Sequence, residues 1–296
     1  MSVKLSYNKA VPYIFLLPAL LVFAFALIIP TLYGLRLSFF DWKMSELLRI
    51  APKFIGLGNF TELFGSEFFH TSIRVTLVFT FSILVAELLV GTALALLLER
   101  KMAGLRLFRT IFVLPLMIAP IVVGVVWRYL YDPSFGLINY FIGLLGFAPR
   151  LWLADPNLAL TSIIITDIWQ WTPFVFLLIL AALQGIPQDL IEAGVVDGAS
   201  YWQTLIHIKL PYIRNILAVT IVLRLIDAFK GLEVMYIMTF GGPGMSTSIL
   251  SIFLFKTAFN SQRLGLASAV SVILMAIIAV SSVFLFFLTP SEGRRK

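Results

Sequence analysis

Four charged residues recur at every third position inside an otherwise apolar stretch: Arg224, Asp227, Lys230 and Glu233. A charge at the centre of a membrane helix costs about 2.5–3.5 kcal/mol, so four unpaired charges would nearly prevent insertion. Opposite charges three residues apart are neighbours on one helix face. We therefore predict that Arg224 pairs with Asp227, and Lys230 with Glu233, facing the interior of a helical bundle. Two interpretations stay open: a polar strip lining a substrate path, and a structural ladder of ion pairs.

A second group of polar and aromatic residues lies in the preceding long apolar segment, residues 158–186. Its tryptophans, together with Phe229, could stack on the apolar face of a bound solute, although such aromatic side chains more often pack in a core or an interface. With the four charges above, the candidate pathway therefore also includes Asp167, Trp169, Gln170, Trp171 and Phe229.

The composition indicates a membrane protein, because 60% of the residues are hydrophobic and only 12% are charged. The net charge of +7 does not indicate nucleic-acid binding, since no basic run is longer than the terminal Arg294-Arg295-Lys296; cytoplasmic anchoring charges explain it better. The absence of cysteine excludes disulfides, thiolate metal sites and cysteine nucleophiles. With two histidines, no metal or other cofactor is expected.

The apolar runs predict an all-α membrane protein with six transmembrane helices. Pro115 and Pro120 interrupt the third span, and Gly91 with Ala95 gives the second span a pair of small residues for close helix packing. We expect an N-terminal helix with an outer segment in residues 1–70, and a five-helix core in residues 71–290. The six predicted spans are approximately 11–35, 71–98, 107–131, 158–186, 212–238 and 265–288.

The loop 187–212 is too polar to lie in hydrocarbon. Its pattern predicts a helix, a turn and a second helix outside the bilayer. A short helix begins at Glu192, Gly198 breaks it because glycine readily takes positive φ, and helical spacing resumes at Tyr201. In this second helix we expect one apolar face, and Pro211 should start the next span. The residues predicted on that face are Trp202, Leu205 and Ile206.

This loop resembles that of the integral-membrane permease subunits of binding-protein-dependent ABC importers, which carry E-A-A-x(3)-G-x(9)-I-x-L-P. Two positions depart from the pattern: Gly194 replaces the second alanine, and Leu205 stands where an aromatic residue is common. Gly56-Leu57-Gly58-Asn59-Phe60 and Gly241-Gly242-Pro243 resemble segments of the sugar-type branch. The matching loop residues are Glu192, Ala193, Asp197, Gly198, Ala199, Ile208, Leu210 and Pro211.

The resemblance implies a permease fold of the maltose-transporter type that carries a sugar, polyol or related solute across the inner membrane of a bacterium or archaeon. It implies that the loop is a coupling helix docking on an ATPase, so the positions just named, with Gly194 and Leu205, form the expected coupling site. The implied partners are a second permease, two ATP-binding subunits, a periplasmic or lipid-anchored solute-binding protein and membrane lipid. The orientation is predicted from Lys and Arg: the short connections that hold these residues close to span ends are expected inside, which places both termini in the cytoplasm.

Several absences separate the possible functions. The sequence has no G-x-x-x-x-G-K-[ST] motif, so ATP hydrolysis is expected on a partner subunit. It has no convincing catalytic constellation either, which favours a transport subunit over an enzyme. The alternative is an ion- or proton-coupled secondary carrier, in which Glu87, Asp167 and Asp227 would form the relay.

Overall fold

The computed structural model describes residues 11–46, 51–99 and 104–288, and most of them are helical. The basic residues at the two termini that entered the prediction of orientation lie outside these ranges. The fourteen α-helices are α1 Val11–Phe23, α2 Ile29–Leu37, α3 Gly58–Phe64, α4 Glu67–Leu97, α5 Leu105–Val113, α6 Pro120–Leu130, α7 Leu137–Leu144, α8 Pro156–Gln184, α9 Gln188–Val196, α10 Tyr201–Thr204, α11 Leu210–Lys230, α12 Glu233–Met238, α13 Leu250–Phe255 and α14 Leu264–Leu288. Three π-helical turns, two 3₁₀ turns and two short strands complete the described chain: Ala24–Ile28, Leu205–Lys209 and Lys256–Asn260; Met44–Glu46 and Leu114–Met117; β1 Phe40–Asp41 and β2 Lys53–Phe54.

Two compact units divide the chain, and the first comprises Met1–Gly65 with Leu254–Ile273. Within it the antiparallel strands β1 and β2 pair through Phe40 and Phe54. Asn59 is 1% exposed and donates hydrogen bonds to the carbonyls of Ser38 (2.9 Å) and Phe40 (3.0 Å). The asparagine of the Gly56–Phe60 segment is therefore a structural residue, because it satisfies two backbone acceptors that would otherwise lack a partner.

The second unit comprises Ser66–Phe253 with Leu274–Lys296, and within it α4 and α8 share the most extensive helix–helix contact. A Cβ at Gly91 would lie 2.8 Å from Cγ1 of Val175 on α8, so the absence of a side chain permits this approach. Ala95, one turn further on, is fully buried. The predicted role of this small-residue pair in close helix packing agrees with this geometry.

The third predicted span is broken: the segment Leu107–Met117 and the helix Pro120–Leu130 meet at 99°. Pro120 cannot donate a backbone hydrogen bond, so α6 starts at this residue instead of continuing the preceding helix. The carbonyl of Ile118 at the break accepts a hydrogen bond from Nε2 of Gln170 on α8, at 3.2 Å. A side chain from a neighbouring helix thus satisfies a backbone group that the break releases.

Four helices of the described chain are long and apolar enough to cross a membrane, and the bent pair raises this to five. The four are Tyr13–Leu37, Glu67–Leu97, Pro156–Gln184 and Leu264–Leu285. The predicted fifth span, 212–238, is wrong in its bounds, because α11 begins at Leu210 and ends at Lys230. Its 21 residues could cross a membrane, but it contains Arg214, Arg224, Asp227 and Lys230 and is less apolar than the others.

Replacing Gly91 with alanine should destabilise the packing of α4 on α8. The new methyl group must displace Val175, and overpacking costs about 1–3 kcal/mol, more than the roughly 1 kcal/mol that alanine adds in helix propensity. We expect a lower thermal unfolding temperature in detergent. Gly143→Ala on α7 is the control, because a Cβ there meets nothing within 4 Å. Equal unfolding temperatures for Gly91→Ala and the parent would contradict the close approach.

Candidate functional site

A buried charge cluster joins three helices at the middle of the second unit. Arg224 on α11 is 1% exposed, and its guanidinium makes two hydrogen bonds to Glu87 on α4, from Nε to Oε2 and from Nη2 to Oε1, both 2.6 Å. Nη2 also donates to Oδ1 of Asp167 on α8, at 2.9 Å. The ring of Trp171 lies over the guanidinium, 4.7 Å from Cζ. The arrangement is a bidentate Arg–carboxylate pair with a second acceptor and a cation–π contact.

The predicted ladder of ion pairs along the fifth span is wrong. Arg224 points into the bundle and contacts Glu87 and Asp167, whereas Asp227 lies on an exposed wall. The second predicted pair does not share a helix, because α11 ends at Lys230 and Glu233 starts α12. A guanidinium with five donors is satisfied better by two buried carboxylates than by one neighbour on its own helix.

The cluster forms one side of a cavity of about 210 Å³. Apolar side chains, including Phe79, and the start of α6 at Pro120 contribute to its wall. This places charged groups, an indole ring and a helix break around one small space. The predicted pathway residues that line it are Asp167, Trp171, Arg224, Asp227, Lys230 and Glu233.

Three predicted pathway residues lie elsewhere. Trp169 is 40% exposed and packs edge-on against Trp127 at 5.4 Å between ring centroids. Phe229 is 1% exposed and belongs to the apolar interior. Gln170 is buried, and its side-chain amide donates a hydrogen bond to the carbonyl of Ile118 at the helix break.

The turn of the loop 187–212 is fixed by hydrogen bonds at the end of α9. The amide of Gly198 donates to the carbonyl of Val195 (3.0 Å), and that of Ala199 donates to the carbonyl of Gly194 (2.9 Å). This pattern is a Schellman motif, with Gly198 at φ +77° in the left-handed position that glycine occupies without steric cost. Asp197 precedes it as the C-cap.

The second half of the loop is a continuous helical run into α11. Ser200 and Gln203 form a reciprocal capping box, with 2.7 Å from the Ser200 amide to Oε1 of Gln203. A π-helical turn, Leu205–Lys209, connects α10 to α11. Ile208 packs against α9 where a Cβ at Gly194 would approach its Cδ1 to 2.9 Å. Glycine at this departure from the family pattern therefore makes room for Ile208.

Lys209, at the end of the π turn, forms an ion pair with Glu99 just beyond the end of α4. The two side chains are 9% and 15% exposed, so the pair is largely shielded from water. It lies on a second cavity, of about 770 Å³, between the loop and the end of α4. Arg109, also on this cavity, donates from Nη2 to the carbonyl of Leu98 at 2.8 Å.

Two details of the predicted loop are wrong. α9 begins at Gln188, so Glu192 lies in its second turn and Asp189 is the acidic residue of the first. The predicted apolar face of the second helix is not buried as a unit: Trp202 and Ile206 are exposed, whereas Leu205, at the start of the π turn, is 7% exposed. The remaining coupling positions are exposed or half-buried on the same loop: Ala193, Gly194, Asp197, Ala199, Ile208, Leu210 and Pro211.

Sequence reasoning missed Glu87 as the counter-charge of Arg224, and it missed the Glu99–Lys209 pair. A signal for the first exists, because Glu87 is the one acidic residue within the apolar part of the second span and needs a partner there. The Glu99–Lys209 pair could not be predicted from residue spacing, because its members are 110 residues apart in the sequence. In the described ranges no group of three or more His, Cys, Asp or Glu residues could hold a metal ion.

Comparison with known proteins identifies the family. Residues 87–292 match the family described as binding-protein-dependent transport system inner membrane component. The chain belongs to this family. It is the permease subunit of an ABC importer and not an enzyme. It is also a multi-pass membrane protein.

Individual relatives extend the match to nearly the whole chain. A trehalose/maltose transport system permease protein, MalF, of Thermococcus litoralis is 34% identical over 99% of this chain and 97% of its own length. The sn-glycerol-3-phosphate transport system permease protein UgpA of Pectobacterium atrosepticum is 32% identical, covering 93% and 92%. A bacterial alginate ABC transporter, solved with an alginate pentasaccharide-bound periplasmic protein, has a chain with TM-score 0.81 and 26% identity, covering 93% and 92%.

The charge cluster predicts different effects for two substitutions on α11. Arg224→Gln should lower the thermal unfolding temperature strongly, because breaking a buried ion pair costs about 3–5 kcal/mol. Asp227→Asn should change it little, because Arg224 keeps both of its carboxyl contacts. Unfolding of the two variants in the same detergent measures this. A larger loss for Asp227→Asn than for Arg224→Gln would contradict the observed pairing.

The Glu99–Lys209 pair predicts that charge reversal can be compensated. Lys209→Glu should lower the unfolding temperature and expose the loop to protease, since a buried polar group without its partner costs about 1–3 kcal/mol. Glu99→Lys should do the same. The double variant Glu99→Lys with Lys209→Glu should recover much of the loss. If the two losses simply add in the double variant, the residues do not act as a pair.

Proposed function

We propose that the chain, together with a second permease, forms the translocation pathway for a sugar, polyol or related small solute. The relatives named for trehalose/maltose and for glycerol-3-phosphate support this solute class. So does the cavity beside Arg224, where charged groups can exchange hydrogen bonds with hydroxyls and the Trp171 ring offers an apolar surface. The candidate pathway residues are the six predicted ones that line this cavity, from Asp167 to Glu233. Gln170 stabilises the helix break beside the cavity.

The exposed surface of the loop is the observation that supports coupling of the permease to an ATPase. α9 presents exposed apolar side chains, with Val195 64% and Val196 85% exposed, although the loop is too polar to lie in hydrocarbon. A partner protein is the environment that such a surface fits. We infer that the loop from Glu192 to Pro211 docks on a separate ATP-binding subunit, and that two such subunits serve the permease pair.

The six-span arrangement follows if α11 and the broken pair each count as one span. The ion pairs of Arg224 remove much of the cost of placing α11 in hydrocarbon. We propose a first span within residues 1–70, five spans within residues 71–290, and both termini in the cytoplasm of a bacterial or archaeal cell. The short connections that hold Lys and Arg close to span ends favour this orientation.

Coupling is then mechanical. ATP binding would move the ATPase and, with it, α9 and the capped turn at Gly198. The π turn and the Glu99–Lys209 pair would pass this movement to α11 and to the end of α4. Both helices contribute to the charge cluster beside the small cavity, so the loop and the pathway can change together. A solute-binding protein would deliver the solute at the opposite face.

A substitution at Gly198 tests the docking role. Gly198→Val forces a β-branched residue into φ +77°, where left-handed backbone costs roughly 1–2 kcal/mol, although a Cβ meets nothing within 4 Å. We expect normal membrane insertion, reduced co-purification of the ATP-binding subunit and loss of uptake of labelled trehalose, maltose or glycerol phosphate, whichever the parent transports.

Gly146→Val is the matched control, because Gly146 has φ +83° and equally open surroundings but lies outside the loop. It should retain the ATP-binding subunit at the parental level. Normal recovery of the ATPase and normal uptake with Gly198→Val would reject the coupling role. Equal losses in both variants would show that backbone strain, and not docking, is responsible.

A further inference from the structure

The helix α7 turns its apolar side away from the protein. Four large apolar or aromatic side chains, spaced three and four residues apart, are each more than half exposed. The opposite side of the helix packs inward: Ile138 and Ile142 are half-buried, and Asn139 is 6% exposed. A helix on a water-exposed surface has the reverse arrangement, with its apolar stripe facing the core. The exposed residues of α7 are Leu137, Tyr140, Phe141 and Leu144.

The exposed apolar surface continues beyond both ends of α7. Phe135 is exposed before the helix, and Leu145 and Phe147 are exposed after it. Together with the four residues of the helix, these three form the α7 apolar surface. No charged residue occurs in the sequence between Asp132 and Arg150. Soluble proteins rarely leave so many large apolar side chains together at their surface, so water is a poor environment for this segment.

Hydrogen bonds hold α7 against the beginning of α8. Nδ2 of Asn139 donates to the carbonyl of Arg150 (2.9 Å), and its Oδ1 accepts from the amide of Arg150 (3.0 Å) and from Nε1 of Trp152 (2.9 Å). The carbonyl of Trp152 accepts in turn from Oγ of Ser162 on α8, at 3.1 Å. The inward side of α7 is therefore tied, through residues 150–152, to the second turn of α8.

The second turn of α8 lies at the membrane surface when this helix crosses the bilayer. α8 has 29 residues and is about 43 Å long, close to the thickness of a bilayer with its headgroups, about 40–45 Å. Ser162 lies about 9 Å from the start of the helix, near the boundary between headgroups and hydrocarbon. The contacts of Asn139 therefore place α7 at headgroup level, at the end of α8 opposite to the loop 187–212.

We propose that α7 is an interfacial helix, which inserts its apolar surface among the lipids at the membrane face opposite to the loop. A lipid surface fits better than a protein partner, because protein interfaces carry about one hydrogen bond per 100–200 Å². The seven side chains of the α7 apolar surface offer one polar group, the Tyr140 hydroxyl, and tyrosine is typical of membrane–water interfaces. The inference does not depend on which solute the permease carries.

Spin labelling tests the proposal, because the chain has no cysteine and each variant therefore carries a single label. Cysteine replaces the outward Leu137, Tyr140 or Leu144, or the inward Ile138 or Ile142. The assembled importer, with its other subunits free of reactive cysteine, is reconstituted in vesicles of phosphatidylethanolamine and phosphatidylglycerol. Collisions of the label with oxygen report lipid, and collisions with a water-soluble nickel complex report water.

We expect the three outward labels to have an oxygen-to-nickel accessibility ratio several-fold higher than that of a control label. Lys53→Cys is this control, because Lys53 is an exposed charged residue of β2, outside the long apolar helices. Lipids labelled along the acyl chain give the depth scale in the same vesicles. On this scale the outward labels should lie about 5–10 Å into the headgroup and acyl-chain boundary. The two inward labels should be poorly accessible to both reagents.

Three results would overturn the proposal. Outward labels that collide with the nickel complex as often as the Lys53 label would place α7 in water. Outward labels protected from both oxygen and nickel would show that another protein covers the helix. Equal accessibility at outward and inward positions would show that α7 does not present one face to lipid. The outward side chains are exposed, so their replacement should not disturb folding.

Discussion

The interaction on which the second unit depends is the burial of the Arg224 guanidinium between two acids from other helices. A guanidinium away from water is tolerated only when its donors are satisfied, and here Glu87 and Asp167 supply the acceptors. Because the partners lie on α4 and α8, the ion pairs fix how α11 meets both. Apolar packing alone would permit several rotations of an amphipathic helix, whereas a bidentate ion pair permits few.

The helix breaks have a related origin in the need to satisfy polar groups. α6 starts at Pro120 beside the cluster. The side-chain amide of Gln170 donates a hydrogen bond to the Ile118 carbonyl that the break releases. Gly231 then ends α11 and sets Glu233 on a separate helix. Together these breaks bring polar groups from α8, α11 and α12 to one cavity, which an uninterrupted bundle of apolar helices would not contain.

Much of this organisation was accessible from the sequence. Apolar run lengths predicted the long helices, the prolines predicted the broken span, and the twenty-residue loop pattern predicted the family that the comparisons confirm. The partner of Arg224 was not accessible, because spacing reveals neighbours on one helix but not which helices meet. Trp169 and Trp171 illustrate the same limit. Residues two apart on a helix point in different directions, and only packing decides that Trp171 faces the cavity.

One continuous run of helix connects the loop to the charge cluster. Tyr201 begins a helical run that continues through the π turn to Lys230, so about 35 Å of helix separates the exposed loop from Arg224. Lys209 anchors this run to the end of α4 part-way along. A displacement of the loop therefore acts on a stiff element held at two charged contacts, both of which also hold α4. Because Arg224 also contacts Trp171, this run of helix connects the exposed loop to the wall of the small cavity.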